Sequence, residues 1–405
     1  MSTVILAANN GQVGGGEVML LATGRLLRDL GYDVEVVGPG TPGPARTAAT
    51  GMAGTPGPAR TVAAGGTGTG ASGTPRTSGV PAGAGGTGTG ASGTSGTSGV
   101  PRGAGGSGEA DGILDLAASE GFTVHRLAAD RRRYVHELRA WHGGRRELLW
   151  CHGLVPAFAT AGRPRRVVHL HKLPTRAQHA GYLTARSRSW LTLVPSRWMA
   201  AQVPHARVLP NWTPDLWYAP GPAGRPRRLG YLGRHAVDKG LLVLAEALAT
   251  GLGDEPVRLV LAGGPRFTDE AGARRVAAAL ERLGDRVERV GWVEPAELLR
   301  DVDGLVVPSL APESFGLPAA EAMSAGVPCI VSDAGALSDV VGPDHPWVVP
   351  AGDAAALAVA VRSWASAPGS RLEEVARAQR ERWQAEHSPD VARERLRGIL
   401  ASLPA

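Results

Sequence analysis

The stretch PESFGLPAAEAMSAGVPCIVSD, residues 312–333, places Glu313 and Glu321 eight positions apart around a Gly-Leu-Pro turn and ends in an apolar strand. Pro318 is tolerated in the first turn of a helix, because its missing N–H has no intrahelical partner there. The pattern therefore predicts a helix that begins near Leu317, with Glu313 in the loop before it and Glu321 one turn inside. Both carboxylates can then face a polyhydroxylated ligand at the positive end of the helix dipole.

These residues resemble the paired-glutamate motif, E-x7-E, of the retaining glycosyltransferases of family 4, which have the GT-B fold. The match includes Glu-Ser-Phe-Gly-Leu-Pro, Glu-Ala-Met and Ala-Gly-Val-Pro. The resemblance implies an α/β chain of two doubly wound, Rossmann-like domains that face each other across a cleft. It also implies that Glu313 contacts the donor sugar and that Glu321 hydrogen-bonds the ribose of the nucleotide. The remaining donor contacts that it implies in this segment are Ser314, Phe315, Gly316 and Leu317.

Two cations follow the strand RLGYLG, which ends at Gly233. Arg234 comes next and Lys239 stands five residues later. The first β-α loop of an open sheet is a place where phosphates bind, and a guanidinium fork with an ammonium suits a diphosphate. The spacing G-R-x4-K-G resembles the family motif whose Arg and Lys grip the nucleotide diphosphate, which implies those roles here. Val293 lies in the loop that meets the base in relatives. Solvated loop charges remain the alternative interpretation.

The first half of the chain predicts alternating strands and helices. The apolar run TVILAAN is followed by Gly14, Gly15 and Gly16, then by helical apolar spacing, and then by the strand DVEVVG. Such glycines let the backbone approach a ligand at a helix N-terminus. The resemblance places this loop near the acceptor, across the cleft from the donor. A dinucleotide-dependent oxidoreductase is disfavoured, because G-x-G-x-x-G is absent and the second strand does not end in an acid.

Two further predicted strands, RELLWCH and RRVVHLH, end in histidines. His171 resembles the family histidine that contacts the reacting region of the donor sugar. His152 closes the preceding strand and is predicted to line the acceptor cleft. If side chains alternate with a period of two, His169 points to the opposite side and is structural. Metal binding by His169 and His171 is the rival interpretation, but no third ligand stands at a recognisable spacing.

Asp301 and Asp303 form the D-x-D string that holds a divalent ion in some transferases. Here the string leads from a helix end into the strand DGLVVPS, away from the predicted diphosphate-binding cations, so we interpret it as structural. Arg234 and Lys239 can neutralise a leaving diphosphate without a metal. The sequence thus predicts no metal ligands and no cofactor, with a UDP- or GDP-sugar as the substrate.

The length and composition predict a chain of two domains with an insertion. The 405 residues exceed what one core normally supports. Between residues 40 and 109 the composition is mainly Gly, Thr, Ser, Ala and Pro, and residues 65–84 recur almost unchanged at 85–104, so this insertion is predicted to be disordered. The final helices, near Val391 to Leu403, are expected to pack back on the first domain. The predicted domains are an N-terminal acceptor-side Rossmann-like domain, residues 1–39 and 110–220, and a C-terminal nucleotide-sugar-binding domain, residues 221–405.

Charge is divided unevenly between the halves. Up to Pro220 there are 22 Arg and Lys against 12 Asp and Glu, whereas the remainder has 21 against 25. Arginines cluster at Arg131 to Arg133, at Arg145 with Arg146, and at Arg163, Arg165 and Arg166. A basic first half favours an anionic or lipid-linked acceptor and a peripheral membrane contact. Nucleic acid is disfavoured, because no aromatic-basic interleaving or binding motif accompanies the charge.

Compartment follows from what the sequence lacks. No apolar run reaches the roughly 18 residues of a membrane-spanning helix, and the N-terminus lacks the pattern of a secretory signal. Cys151 and Cys329 are the only cysteines and stand far apart, which suits a reducing cytosol. We therefore predict a cytoplasmic protein that can contact the inner face of the membrane.

The predicted function is metal-independent, retaining transfer of a sugar from a nucleotide diphosphate sugar to an acceptor hydroxyl of a glycolipid, polysaccharide or secondary metabolite. Two alternatives remain open at this point. Sugar-nucleotide epimerases share the architecture, although the acid and base residues that they need are not identifiable here. An inert protein that only binds a sugar nucleotide is the other alternative.

Overall fold

The computed structural model of the chain describes residues 2–40, 112–217, 227–252, 255–265 and 268–404. The predicted insertion at 40–109, except for Gly40, and the predicted domain boundary near Pro220 lie outside these residues. Among the helices in these ranges, none has both the length and the apolar composition that a membrane-spanning segment requires.

The first sheet, within the described residues, has seven parallel strands in the order β3-β2-β1-β4-β5-β6-β7. The order runs outward from β1 to β3 on one side and starts again at β4 on the other. It therefore reverses between β1 and β4. The strands are β1 (Thr3–Ala8), β2 (Asp33–Pro39), β3 (Thr123–Leu127), β4 (Leu148–His152), β5 (Arg166–His169), β6 (Leu191–Val194) and β7 (Arg207–Val208). The helices of this part are α1 (Gly15–Asp29), α2 (Ile113–Ser119), α3 (Arg131–Trp141), α4 (Leu154–Ala159), α5 (His179–Ala185) and α6 (Arg197–Gln202).

The second sheet has six parallel strands in the described part of the chain, in the order β10-β9-β8-β11-β12-β13. This order reverses between β8 and β11. The strands are β8 (Arg227–Arg234), β9 (Val257–Gly264), β10 (Val287–Gly291), β11 (Gly304–Val307), β12 (Cys329–Ser332) and β13 (Val348–Val349). The helices are α7 (Leu241–Thr250), α8 (Glu270–Glu281), α9 (Pro295–Arg300), α10 (Leu317–Ala325), α11 (Leu337–Val341), α12 (Ala354–Ser366), α13 (Gly369–Glu386) and α14 (Pro389–Ala401).

Both sheets are covered on their two faces, which explains the unbroken apolar runs of the central strands. In β9, Leu259 and Leu261 join the core cluster that contains α7, α8 and α12, whereas Val260 and Ala262 join the cluster that contains α9, α10 and α11. Strands buried on both faces lose the alternation of polar and apolar residues. The predicted architecture of two doubly wound α/β domains is confirmed.

The last helix returns to the first domain. Ala392, Leu396 and Ile399 of α14 are buried in the core cluster of β1, α1 and α2. Ser388 caps this helix through a hydrogen bond that its Oγ accepts from the amide of Val391. The prediction that the final helices pack back on the first domain is confirmed.

Candidate functional site

The two points where the strand order reverses hold most of the side chains selected from the sequence. In open α/β sheets, ligands bind in the crevice at the carboxyl ends of the strands beside such a reversal. In the second domain this crevice lies between the loops that follow β8 and β11, which carry Lys239 and Glu313. In the first domain it lies between the loops that follow β1 and β4. The first loop leads through Gly14 to Gly15 and Gly16 at the start of α1, and the second adjoins His152.

Lys239 and Glu313 are in direct contact. The ammonium Nζ of Lys239 lies 2.6 Å from Oε1 of Glu313, and the hydroxyl of Ser309 donates to the same oxygen at 2.6 Å. Arg234, the last residue of β8, pairs its Nη2 with Oδ2 of Asp238 at 2.9 Å. Two cations and two carboxylates thus stand at the carboxyl ends of β8 and β11, where a diphosphate could replace a carboxylate as the partner of a cation.

Gly240 is the last residue of the G-R-x4-K-G spacing, and its conformation explains why it is a glycine. Its φ is +77°, and a Cβ at this position would lie 1.7 Å from the carbonyl oxygen of Pro308. The loops after β8 and β11 meet here, since the amides of Leu310 and Ala311 also donate to the carbonyl oxygen of Asp238, at 2.9 and 3.0 Å. Only glycine allows this approach, which places Lys239 beside the loop of Glu313.

The loop of Glu313 is held by its main chain. Residue 313 bridges Gly335, and the amide of Ala336 donates to the carbonyl oxygen of Glu313 at 2.9 Å. Gly316 precedes helix α10 with a φ of +106°, and Pro318 lies in the first turn. The helix begins at Leu317, with Glu313 before it and Glu321, half-buried, one turn inside. The prediction for this segment is confirmed.

The other predicted donor contacts differ in which of their atoms a ligand can reach. The side chain of Phe315 is buried in the core and packs edge-on against His387, so only its main chain is available to a ligand. Leu317 packs against the cores of both domains. Val293 follows β10 and packs partly against the core, whereas its neighbour Trp292 is 46% exposed. An aromatic face beside the predicted base position was not expected from the sequence.

The glycine loop and His171 meet the second domain. A Cβ on Gly15 would lie 3.5 Å from Cδ1 of Leu317, and a Cβ on Gly16 would lie 3.2 Å from Cβ of His171. The hydroxyl of Ser314 donates to the carbonyl oxygen of His171 at 2.7 Å. Loops of the two domains are therefore in contact, and a side chain at position 16 would crowd His171.

Two predictions about the histidines are wrong. His169 and His171 do not face apart, because their ring centroids are 4.1 Å apart, and residues two positions apart along a strand share a side. His152 is buried and does not line an open surface; its Nδ1 lies 2.9 Å from Nε2 of His171. The missing third imidazole was hidden because β4 and β5 are adjacent strands, which pair His152 with His169. No spacing along the chain shows this.

Burial keeps these imidazoles neutral. It lowers the pKa of His171 to about 4, and it lowers the pKa values of His152 and His169 well below the ordinary value. For His152 and His169, the positive charge of a neighbouring protonated imidazole adds to this effect. A neutral imidazole offers one lone pair and one N–H, so the cluster can accept hydrogen bonds or coordinate a cation.

Both aspartates of the D-x-D string contact Arg228. Oδ2 of Asp303 accepts from the amide of Arg228 at 2.7 Å, and Asp301 forms an ion pair with the guanidinium of Arg228. The Arg228 guanidinium also pairs with Glu288 at 3.0 Å. Both aspartates therefore contact β8 near its N-terminal end, whereas the predicted donor cations lie at and beyond its C-terminal end.

Arg166 does not belong to a basic surface, which corrects the expected arginine cluster. It is 0% exposed, and its guanidinium donates to the carbonyl oxygens of Arg163, Ala157, Ala185 and Ser187 at 2.9, 3.0, 3.1 and 2.5 Å. Burial lowers its pKa. The Arg166 side chain links the main chain of the segments that surround β5, and it is not accessible to a ligand.

Replacing Arg166 with Met is expected to lower the free energy of unfolding by about 2–6 kcal/mol, because the two buried carbonyl oxygens of Ala157 and Ala185 lose their donor. Urea unfolding of the full chain, followed by circular dichroism, measures this. Arg132→Met is the control, since Arg132 is exposed on α3. An unchanged denaturation midpoint for Arg166→Met would contradict the structural role.

The structural comparisons decide the fold. Over 100% of both chains, the Anabaena protein HepE in complex with UDP and glucose has a TM-score of 0.71 at 16% identity. Sucrose-phosphate synthase from Thermosynechococcus elongatus has a TM-score of 0.69 at 19% identity, covering 99% of this chain and 98% of its own. The chain has the GT-B fold. The lipopolysaccharide outer core galactosyltransferase WaaB is also similar, with a TM-score of 0.63 at 14% identity over both full chains.

The sequence comparisons each match only part of the chain. Residues 226–366 match the family model described as Glycosyl transferases group 1. A phosphatidyl-myo-inositol mannosyltransferase from Mycobacterium leprae is 36% identical over 176 residues, which are 41% of this chain and 46% of the relative. An MMP alpha-(1->4)-mannosyltransferase from Mycolicibacterium hassiacum is 53% identical over 51 residues, 13% of this chain and 12% of the relative. The chain thus spans less than half the length of the curated relatives that it matches.

Ser309 and Asp238 were missed by the sequence analysis, although each contacts a predicted donor residue. Ser309 follows β11, the strand that neighbours β8 at the reversal, so the rule that selected Lys239 could have selected it. Asp238 stands between the two cations, in the 3-10 turn Val237–Lys239, and charge alone does not distinguish it from other loop acids. Its partner, Arg234, gives it a place in the site.

Proposed function

We propose that this protein is a glycosyltransferase that moves a hexosyl group from a nucleoside diphosphate sugar to an acceptor hydroxyl with retention of the anomeric configuration. The observation that carries the proposal is the cluster of Arg234, Lys239 and Glu313 in the crevice between β8 and β11, with Lys239 and Glu313 2.6 Å apart. The segment that matches the Glycosyl transferases group 1 model, residues 226–366, contains all three.

The chemistry of the leaving group fits the two cations. When the anomeric C–O bond breaks, negative charge grows on the diphosphate and positive charge grows on the sugar ring. Preorganised cations stabilise such developing charge without reorganisation. In our proposal Arg234 holds the diphosphate through its planar fork and Lys239 as a point charge, so departure of the diphosphate requires no divalent ion. The acceptor hydroxyl attacks the face from which the diphosphate leaves, and the leaving phosphate takes its proton.

The remaining roles are assigned by position. Glu313 accepts hydrogen bonds from the donor sugar, and Glu321 accepts them from the ribose. The main-chain amides from Ser314 to Leu317 lie at the N-terminal end of α10, where amide groups precede the first helical hydrogen bond. His171 faces this loop from the first domain and contacts the sugar, while Gly14 to Gly16 leave room for the acceptor. Val293 and Trp292 are assigned to the base.

We further propose an anionic, lipid-linked acceptor reached at the cytoplasmic face of a membrane. The half of the chain before Gly221 carries the excess of Arg and Lys, and Arg131, Arg132 and Arg133 are exposed at the start of α3. Such a face attracts anionic headgroups. The Mycobacterium leprae relative is named for an anionic lipid acceptor, phosphatidyl-myo-inositol, which agrees with this assignment.

A donor screen tests the proposal. The full chain is titrated calorimetrically with UDP, GDP and a panel of UDP- and GDP-hexoses, and we expect donors of one nucleotide to bind. Arg234→Met is expected to weaken the binding of both the nucleotide and the sugar nucleotide. Products are then sought by mass spectrometry after adding a lipid extract. Absence of binding by every nucleoside diphosphate sugar would overturn the proposal.

The same reagents separate the alternatives. Conversion of a sugar nucleotide to its epimer without an acceptor would indicate an epimerase. Tight donor binding, with neither hydrolysis nor transfer in any extract, would indicate an inert binding protein. Transfer with the anomeric configuration preserved, read by the proton coupling of the product, is the outcome expected here.

A further inference from the structure

Three imidazoles converge at the carboxyl edge of the first sheet. One ring nitrogen from each of His152, His169 and His171 lies within 4.8 Å of the other two. The closest pair, Nδ1 of His152 and Nε2 of His171, is 2.9 Å apart. His152 and His169 are held at the ends of adjacent strands, so the backbone of the sheet fixes their separation.

This cluster leaves buried nitrogen atoms without partners. His152 is 2% exposed and His169 is 0% exposed. Within the described ranges, Nε2 of His152, both ring nitrogens of His169 and Nδ1 of His171 make no hydrogen bond. Buried polar atoms are normally hydrogen-bonded, and an unpaired one has lost the hydrogen bonds that it made to water. Each neutral ring has one N–H and one lone pair, so this cluster has unused lone pairs that a cation could accept.

We propose that His152, His169 and His171 bind one transition-metal ion, with Zn²⁺ preferred. At Zn–N distances of about 2.0–2.1 Å, two nitrogens of a tetrahedral site lie about 3.3 Å apart. Side-chain rotations that change each separation by at most about 1.5 Å bring separations of 2.9 Å to 4.8 Å to this value. The set contains imidazoles alone, which suit Zn²⁺, Co²⁺, Ni²⁺ or Cu²⁺ rather than Mg²⁺ or Ca²⁺.

The ion has a different place from the donor diphosphate. The cations assigned to the diphosphate, Arg234 and Lys239, belong to the second domain, whereas the three imidazoles belong to the first. Three protein ligands leave a fourth position for water or an acceptor hydroxyl. Because the carbonyl oxygen of His171 accepts the bond from Ser314, the ion would also hold the first-domain loop that contacts the second domain. The proposed metal site does not depend on the proposed transfer reaction, although it assigns the ring of His171 to the ion instead of the sugar.

Cobalt substitution tests the site directly. The full chain is freed of metal with a chelator, titrated with Co²⁺, and followed by its visible ligand-field absorption, with Zn²⁺ as the competitor. We expect saturation at one ion per chain, an intense band typical of tetrahedral Co²⁺, and loss of that band when Zn²⁺ is added. His169→Ala is expected to abolish the band, and His136→Ala, which removes an exposed imidazole of α3, is expected to keep it.

X-ray absorption of the wild-type chain with Zn²⁺ keeps the test independent of variants that fold poorly. Scattering from three imidazoles would support the site. Failure of the wild-type chain to retain stoichiometric Co²⁺ or Zn²⁺ would overturn it, as would a folded His169→Ala protein with an unchanged band. Donor binding is measured on the same metal-free protein, so loss of this inference and loss of the proposed function are distinguished.

Discussion

Replacing Lys239 with Met is expected to lower kcat for sugar transfer by about 10²–10³-fold, because one preorganised charge on the leaving diphosphate is lost. The methylene chain of Met fills most of the space of the Lys stem, and the ammonium that pairs with Glu313 is removed. The fold should tolerate this change, since Lys239 is only half-buried and lies in a surface turn. Initial rates at saturating donor, with the unfolding midpoint measured beside them, give the result.

The nature of the leaving group makes this test sharper. A glycosyl fluoride carries no diphosphate, so Lys239→Met should change its rate of transfer much less than it changes transfer from the nucleotide donor. Arg274→Met is the matched control, because Arg274 is an exposed cation of the same domain that pairs only at the surface with Glu270. Equal losses with both donors would show that Lys239 supports the structure of the loop instead of the departing charge.

The sequence predicted the second domain better than the first, because the motifs of the second domain lie within single segments of the chain. Helix α10 could be predicted because Gly316, Pro318 and the apolar strand after it are contiguous, so turn chemistry and periodicity act within one segment. Lys239 and Glu313 were both selected, but their contact depends on β8 and β11 being neighbours, which is a property of the whole sheet. Their direct pairing was not predictable.

The errors in the first domain have the same cause. His152 and His169 are 17 positions apart in the chain but directly paired across two strands, so spacing gave no warning of the cluster. Arg166 was grouped with Arg163 and Arg165 by proximity in sequence. Its side chain instead points into the core, where four carbonyl oxygens meet it. Charge patterns describe a surface only when burial is already known.

Glu313→Gln is expected to lower kcat/KM by about 10²-fold, since a hydrogen bond to a charged group contributes roughly 1.5–3 kcal/mol. The amide keeps the shape of the side chain, while Lys239 and Ser309 lose the negative charge that they both contact. If Glu313 reads the sugar, the Kd of the sugar nucleotide should rise and the Kd of the free nucleoside diphosphate should not. Calorimetry with both ligands on the same protein measures the difference.

Two further variants separate direct contact from support. Ser309→Ala removes only a neutral donor to Oε1, so its effect on kcat/KM should stay below about tenfold. In a double-mutant cycle, Lys239→Met and Glu313→Gln should be strongly non-additive, because the two groups touch. If Glu313→Gln weakens binding of the free nucleoside diphosphate and of the sugar nucleotide equally, Glu313 does not contact the sugar. The carboxylate would then serve to orient the Lys239 ammonium toward the diphosphate.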